Sequence, residues 1–243
     1  MKEERFFYVP QAETACELPQ DEAVHATRVL RLKEGDSIFL MDGQGSFYKA
    51  DVTMSSNKRC SYRITEKLEQ ERPWTGRIHI AMAPTKMIDR VEWMVEKATE
   101  IGVDEFSFLE CQYSERRNMR ADRIEKITVS AMKQSRKAWK PIVNELEDFR
   151  TFITQEHPGR KFICHCYDEI ERQDLFIALQ SCNSINEEVT VLIGPEGDFS
   201  VEEVKLALAN GYESVSLGKS RLRTETAALF AVANIHLSRN TSK

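Results

Sequence analysis

Between Val189 and Ala228 the chain gathers residue types that can do chemistry: a guanidinium at Arg223, carboxylates at Glu196 and Glu225, and glycines at 194, 197 and 218. A guanidinium offers fixed donors to a delocalised oxyanion, and a carboxylate either takes a proton or holds such an arginine in place. Glycines allow a ligand to meet backbone amides and carbonyls with no side chain in the way. The same spacing permits a plainer account, in which the loops are ordinary connections and Arg223 forms an ion pair with Glu225 at a helix start.

The elements that must position these groups can be read on either side of them. Val189 to Ile193 is apolar, β-branched and too short for a helix, which predicts a buried strand. It stops at Gly194-Pro195-Glu196-Gly197, where the glycines permit positive φ and the proline cannot continue a ladder. Ser200 and Glu203 are spaced as a capping box for a helix that runs to Asn210-Gly211. Val215 to Leu217 predicts a second strand and Gly218 to Arg223 a second loop. Thr224 or a neighbour then caps a helix in which Ala227, Leu229, Phe230, Val232, Ala233 and Ile235 are expected to be buried. Two loops at the ends of adjacent buried strands make the kind of place where ligands bind in open α/β sheets.

Ile193-Gly-Pro-Glu-Gly197, followed by Leu217-Gly218 and Leu222-Arg-Thr-Glu-Thr-Ala227, resembles the paired signature of the RsmE-type ribosomal RNA uridine N3-methyltransferases of the SPOUT superfamily. The resemblance extends to Lys97-Ala-Thr-Glu-Ile-Gly-Val103, Ser114-Glu-Arg116, Lys133-Gln-Ser-Arg136, and His25-Ala-Thr-Arg-Val-Leu-Arg-Leu32 with Asp42-Gly43. It therefore covers most of the chain. It implies an α/β fold: a trefoil-knotted SPOUT domain over residues 73–243, preceded by a small PUA-like β-barrel over residues 1–72, a barrel type used for RNA. General topology rules alone would draw an unknotted sheet.

The implied reaction is S-adenosylmethionine-dependent methylation of uridine N3 in small-subunit (16S) ribosomal RNA. Ile193, Gly194, Gly197, Leu217, Gly218 and Leu222 would line the cofactor site, with Thr224 or Glu225 adding polar contacts. Uridine N3 is a poor nucleophile until its proton leaves, so Arg223 is assigned to the anion on the flanking carbonyl oxygens, and Glu196 or Glu225 to the proton or to holding the arginine. The resemblance also implies a homodimer with a shared RNA site, for which Arg116, Arg117, Lys133 and Arg136 are candidates. Three positions depart from the family pattern: Asp198 replaces a second glycine, Arg117 a serine and Lys133 a glutamate. A related enzyme with another RNA target, or an inactive RNA-binding ribosome-assembly factor, are the competing readings.

Composition narrows the classes. No run of eighteen apolar residues occurs, and Met1-Lys-Glu-Glu-Arg5 lacks the apolar core of a signal peptide, so a cytoplasmic protein with no membrane partner is expected. No G-x-G-x-x-G or Walker pattern is present. Cysteines at 16, 60, 111, 164, 166 and 182 lack a metal-ligand rhythm, and Cys164-His165-Cys166 is read as part of a core strand from Phe162 to Tyr167. The net charge of −5 hides an uneven distribution. Residues 113–140 hold nine Lys/Arg against three Asp/Glu, and 214–243 five against one, whereas 141–213 hold five against fifteen. That suits one positively charged face.

Earlier in the chain, short strands are expected at Arg5 to Val9, Ser37 to Met41, Phe47 to Val52 and Tyr62 to Ile64, with a hairpin at Asp42-Gly43. One helix is expected near Glu22 to Leu30, with His25, Arg28 and Arg31 on one face; spacing alone reads as an exposed basic helix edge, and the resemblance implies RNA contacts. From Arg77 strands alternate with helices. Arg77 to Ala83 reads as a strand and Phe106 to Leu109 as another. Met87, Val91, Met94, Val95, Ala98 and Ile101 are expected to face the core from a helix closed by Gly102, and Ala121 to Trp139 to form a basic helix.

Overall fold

The computed structural model describes residues 4–181 and 186–241, so Cys182 lies outside the described residues. The chain divides into two compact units, one of residues up to Arg72 with Val129–Lys140, the other of Pro73–Thr128 with the rest from Pro141.

The first unit carries β1 (Phe6–Tyr8), α1 (Gln20–Val24), β2 (Ser37–Met41), β3 (Ser46–Ser56) and β4 (Arg59–Glu69). They form a four-stranded sheet in that order, with β1 parallel to β2 and the other pairs antiparallel. Asp42 builds the expected β2–β3 turn by accepting from the amides of Gln44 (2.7 Å) and Ser46 (3.0 Å). Strands β3 and β4 are longer than expected because their outer halves are polar and exposed, and Asn57, at φ +45°, turns one into the other. Phe7, Ile38, Leu40, Val52 and Tyr62 form part of the core.

The helix expected near Glu22 to Leu30 is α1 continued by a π-helical turn over His25–Val29. Arg31 does not share its face. The amides of Leu30 and Leu32 reach back to the carbonyls of His25 and Ala26, and Arg31 takes φ +52° outside the helix.

The second unit is a seven-stranded sheet, parallel throughout. Its strands are β5 (Ile78–Met82), β6 (Glu105–Glu110), β7 (Ile142–Asp148), β8 (Arg160–Cys164), β9 (Gln173–Asp174), β10 (Val189–Ile193) and β11 (Glu213–Ser216), ordered β7-β6-β5-β10-β8-β11-β9. Every residue of β5 and β10 is buried, as strands covered on both faces require. The helices are α2 (Ile88–Ile101), α3 (Ala121–Ser135), α4 (Phe149–Thr154), α5 (Leu175–Gln180), α6 (Val201–Ala209) and α7 (Thr224–Thr241), with α3 contributing residues to both units.

Several expectations are corrected here. Met87 and Ile101 are exposed, because Met87 caps α2 from outside and Ile101 sits on its outer face; Val91, Met94, Val95 and Ala98 are buried. Helix α3 stops at Ser135 rather than Trp139, since Arg136 adopts φ +53° and the amide of Lys137 closes back on Met132, a left-handed helix end. Strand β8 ends at Cys164, because Asp198 takes the amide of Cys166 (2.8 Å) and Arg172 the carbonyl of His165 (2.7 Å), diverting groups that would have extended the ladder. Strand β11 begins two residues early and Phe230 on α7 is exposed; α7 starts at Thr224, which leaves the cap position to its neighbour.

Candidate active site

A cavity of about 470 Å³ opens at the carboxyl ends of β8, β10 and β11. Its walls come from the loops after those strands, the first turn of α7, and Arg90 on α2. The β10 strand and loop supply Ile193, Gly194, Glu196 and Asp198, the β11 loop Leu217, Gly218, Leu222 and Arg223, and the helix start Thr224 and Glu225. Gly197 is outside this lining; a Cβ there would lie 3.2 Å from that of Tyr113.

The β10 loop is pinned on every side. Ser200 and Glu203 form the expected capping box, Ser200 Oγ accepting from the Glu203 amide (3.2 Å) while Glu203 Oε2 accepts from the Ser200 amide (2.7 Å). Glu203 Oε1 also accepts from the Gln112 amide (2.8 Å). Asp198 adopts φ +68°, the conformation glycine takes without strain. Its Oδ1 accepts from the Phe199 amide and its Oδ2 from the Cys166 amide, both at 2.8 Å, so it ties the β10 loop to the β8 exit. Glu196 reaches the other way, accepting the amide of Lys86 at 2.8 Å. Arg116 holds the same connection by its carbonyls, donating to Thr85 O (3.1 Å) and Lys86 O (2.8 Å).

The β11 loop contrasts with it. Gly218 sits at φ +98° with open space where a Cβ would be. Lys219, Arg221 and Arg223 are exposed, and their side chains make no hydrogen bond or ion pair with another described residue.

Glu225 is the group that most needs a ligand. It is 6% exposed, and its Oε2 has no hydrogen-bond partner. Its Oε1 lies 3.7 Å from Arg90 Nη1, so the partner of Glu225 is Arg90 and not the Arg223 that its spacing had suggested. A buried carboxylate oxygen without a donor costs free energy on the order of 1–3 kcal/mol, and a donor brought into the cavity recovers it.

The third wall is the segment read as core, Cys164-His165-Cys166. The amide of Tyr167 donates to His165 Nδ1 (3.2 Å), which leaves Nε2 as the protonated nitrogen, donating to Ser214 Oγ. Burial, and then the Arg172 charge, lower the His165 pKa and favour the neutral ring. Burial, with Asp198 nearby, raises the thiol of Cys166, and burial raises that of Cys164 further, so both remain protonated thiols. Among the described residues no group of three or more His, Cys, Asp or Glu is arranged to hold a metal ion. Arg90, Arg172, Arg221 and this segment line the cavity without having been singled out for it in the sequence; Asp198, a charged residue where the resemblance suggested glycine, was the one signal.

The six basic residues expected at RNA divide sharply. Arg28 and Arg31 are exposed and make no ion pair with another described residue. Arg116 is spent on backbone carbonyls, and Arg117 pairs with Glu110. In the first unit Lys133 pairs with Glu22 (2.7 Å) and Arg136 with Glu4 (2.8 Å).

A family model described as an RNA methyltransferase domain matches residues 71–236, and one described as an RNA methyltransferase PUA domain matches residues 18–65. The Ribosomal RNA small subunit methyltransferase E of Rickettsia conorii is 28% identical over 224 residues, 91% of this chain and 89% of that protein. Among solved structures, a probable rRNA-methyltransferase from Porphyromonas gingivalis has a TM-score of 0.89 at 42% identity, covering 98% of this chain and all of that one. The Ribosomal RNA small subunit methyltransferase E of Neisseria gonorrhoeae, solved bound to S-adenosyl methionine, has a TM-score of 0.82 at 25% identity, covering 97% and 98%.

Proposed function

The chain belongs to the RNA methyltransferase family, and from that premise we propose that it methylates N3 of a uridine in small-subunit ribosomal RNA, using S-adenosylmethionine. Ile193, Gly194, Leu217, Gly218, Leu222 and Thr224 would hold the cofactor, largely through backbone groups that the glycines leave uncovered. The size of the cavity and the orphan oxygen of Glu225 fit a polar ligand of that class. When bound, S-adenosylmethionine supplies a methyl group on a positively charged sulfur.

The remaining chemistry falls to this chain's side chains. Arg223, unpaired at the cavity, faces the negative charge that collects on the uridine carbonyl oxygens as N3 loses its proton. Glu225 would accept that proton on Oε2, leaving N3 a lone pair that would take the methyl group as its carbon–sulfur bond breaks, the bonding pair staying on sulfur as a neutral thioether. Glu196, with its carboxylate on the Lys86 amide, serves the loop rather than the reaction. Arg28 and Arg31 supply RNA contacts from residues 1–72, an RNA-binding domain, while residues 73–243 carry the knotted catalytic domain.

The quaternary state belongs to the same proposal. Helices α2 and α7 are neighbours, and Trp93, Phe230 and Leu237 expose apolar surface on them, which a second copy would cover in a homodimer. No helix among the described residues is long and apolar enough to cross a membrane; a ribosomal RNA substrate would place the enzyme in the cytoplasm.

What carries the reading is one observation: both glycine-bearing loops and the start of α7 wall a single cavity that contains Arg223 and Glu225. The test is to incubate the protein with labelled S-adenosylmethionine and small ribosomal subunits lacking their modifications, then identify the methylated nucleoside by mass. N3-methyluridine, lost on Arg223→Ala, is the expected result. Cofactor binding without transfer would point to another RNA, and absence of both to an assembly factor.

A further inference from the structure

The β11 loop holds three cations in five residues, Lys219, Arg221 and Arg223, in a chain of net charge −5; Arg221 and Arg223 line the cavity, and Lys219 sits between the lining residues Gly218 and Ser220. Arg117, Lys133 and Arg136 each find a carboxylate. Those of the β11 loop do not. The acids that line the same cavity direct their contacts elsewhere: Glu196 to the Lys86 amide, Asp198 to the amides of Cys166 and Phe199, and Glu225 Oε1 toward Arg90, with Oε2 unpartnered. The loop therefore presents cations that no described carboxylate holds in an ion pair, next to the place where a nucleotide would enter. Gly218, with open space around it, leaves that end of the loop uncrowded.

Resting on the RNA-methyltransferase reading, we propose that Lys219 and Arg221 hold the RNA phosphates that flank the target nucleotide. A base extruded from its stack into an enzyme cavity leaves its backbone at the rim, where phosphates need cations and no sequence information is read. Alternate residues of a chain lie at most about 7 Å apart, so Lys219 and Arg221 can each take a different phosphate while Arg223 reaches the base. Lys219, a flexible point charge, tolerates a moving backbone; Arg221 can bind one phosphate through two parallel hydrogen bonds.

The same cations would also suit the carboxylate of the cofactor, and the experiment separates the two sources. Binding of a short labelled single-stranded RNA of mixed sequence is measured over a salt series for the wild type, for Lys219→Ala/Arg221→Ala, and for the charge-preserving Lys219→Arg/Arg221→Lys. S-adenosylmethionine binding is measured calorimetrically on all three. Each single-strand phosphate contact contributes about 0.7 to the slope of log K against log salt, so the alanine pair is expected to flatten the slope by about 1.4 and to weaken binding about 25-fold at 0.1 M salt. The charge-preserving pair keeps the slope, and cofactor affinity stays within about twofold. An unchanged slope in the alanine pair overturns the inference, as does a loss of cofactor affinity with RNA binding intact. If the alanine pair loses slope while the wild type methylates no small-subunit RNA, the target assignment fails and the phosphate contacts stand.

Discussion

Two basic regions of this molecule look alike in sequence and differ in structure. Residues 113–140 carry nine cations and the β11 loop three, so the first looks the better place for RNA. Yet Arg116 is committed to two carbonyls, Arg117 to Glu110, Lys133 to Glu22 and Arg136 to Glu4, whereas Lys219, Arg221 and Arg223 make no hydrogen bond or ion pair with another described residue, and the last two line a cavity. A phosphate offered to a paired cation must displace a carboxylate already in place; one offered to a free cation displaces water and counterions. Local charge density therefore misleads unless the partner of each charge is known.

The comparison can be broken by substitution. The largest effect is expected for Arg223→Ala, a fall in methyl transfer of roughly 10²–10³-fold with cofactor affinity nearly unchanged, read by single-turnover kinetics. The Lys219/Arg221 pair comes next, through its loss of RNA affinity. Arg28→Ala with Arg31→Ala should flatten the salt slope by about 0.7 per residue on single strands. Lys133→Ala should act elsewhere: its side chain is 23% exposed and that of Glu22 12%, so removing it leaves a largely buried carboxylate short of its cation. A loss of about 1–3 kcal/mol in denaturant titration, with an unchanged salt slope, is expected. Smallest are Arg117→Ala and Arg136→Ala, exposed pairs worth at most about 1 kcal/mol. A large drop in RNA affinity from any of these last three would reverse the comparison.

The sequence makes legible those features whose determinants are local. The buried strand β10, the Ser200–Glu203 capping box and the glycine ends of α2 and α6 follow from residues within a few positions of each other. Strand β7 was not legible, because it lies at the sheet edge and carries Asn144, Glu145, Glu147 and Asp148 in place of an apolar run. Helices α4 and α5 are six residues long, too short for a period, although Asp148 and Asp174 cap them as their types allow. In the candidate site the two glycine-bearing loops could be read, since their motifs are contiguous. The third wall could not. Cys164-His165-Cys166 turns toward the cavity because of Asp198 and Arg172, the first of them 32 residues from Cys166. Glu225 likewise meets Arg90 across more than a hundred residues, and nothing near either one announces it.

The most direct measurement is a side-by-side salt series on RNA binding for three proteins: the wild type, one lacking the free cations Arg28, Arg31, Lys219 and Arg221, and one lacking the paired Arg117, Lys133 and Arg136, all replaced by alanine. Melting curves establish that each is folded. The account predicts that the first variant loses most of the salt slope, while the second keeps the wild-type slope and shows its defect only in stability. The opposite pattern, with the slope lost from the second variant and retained in the first, would contradict it.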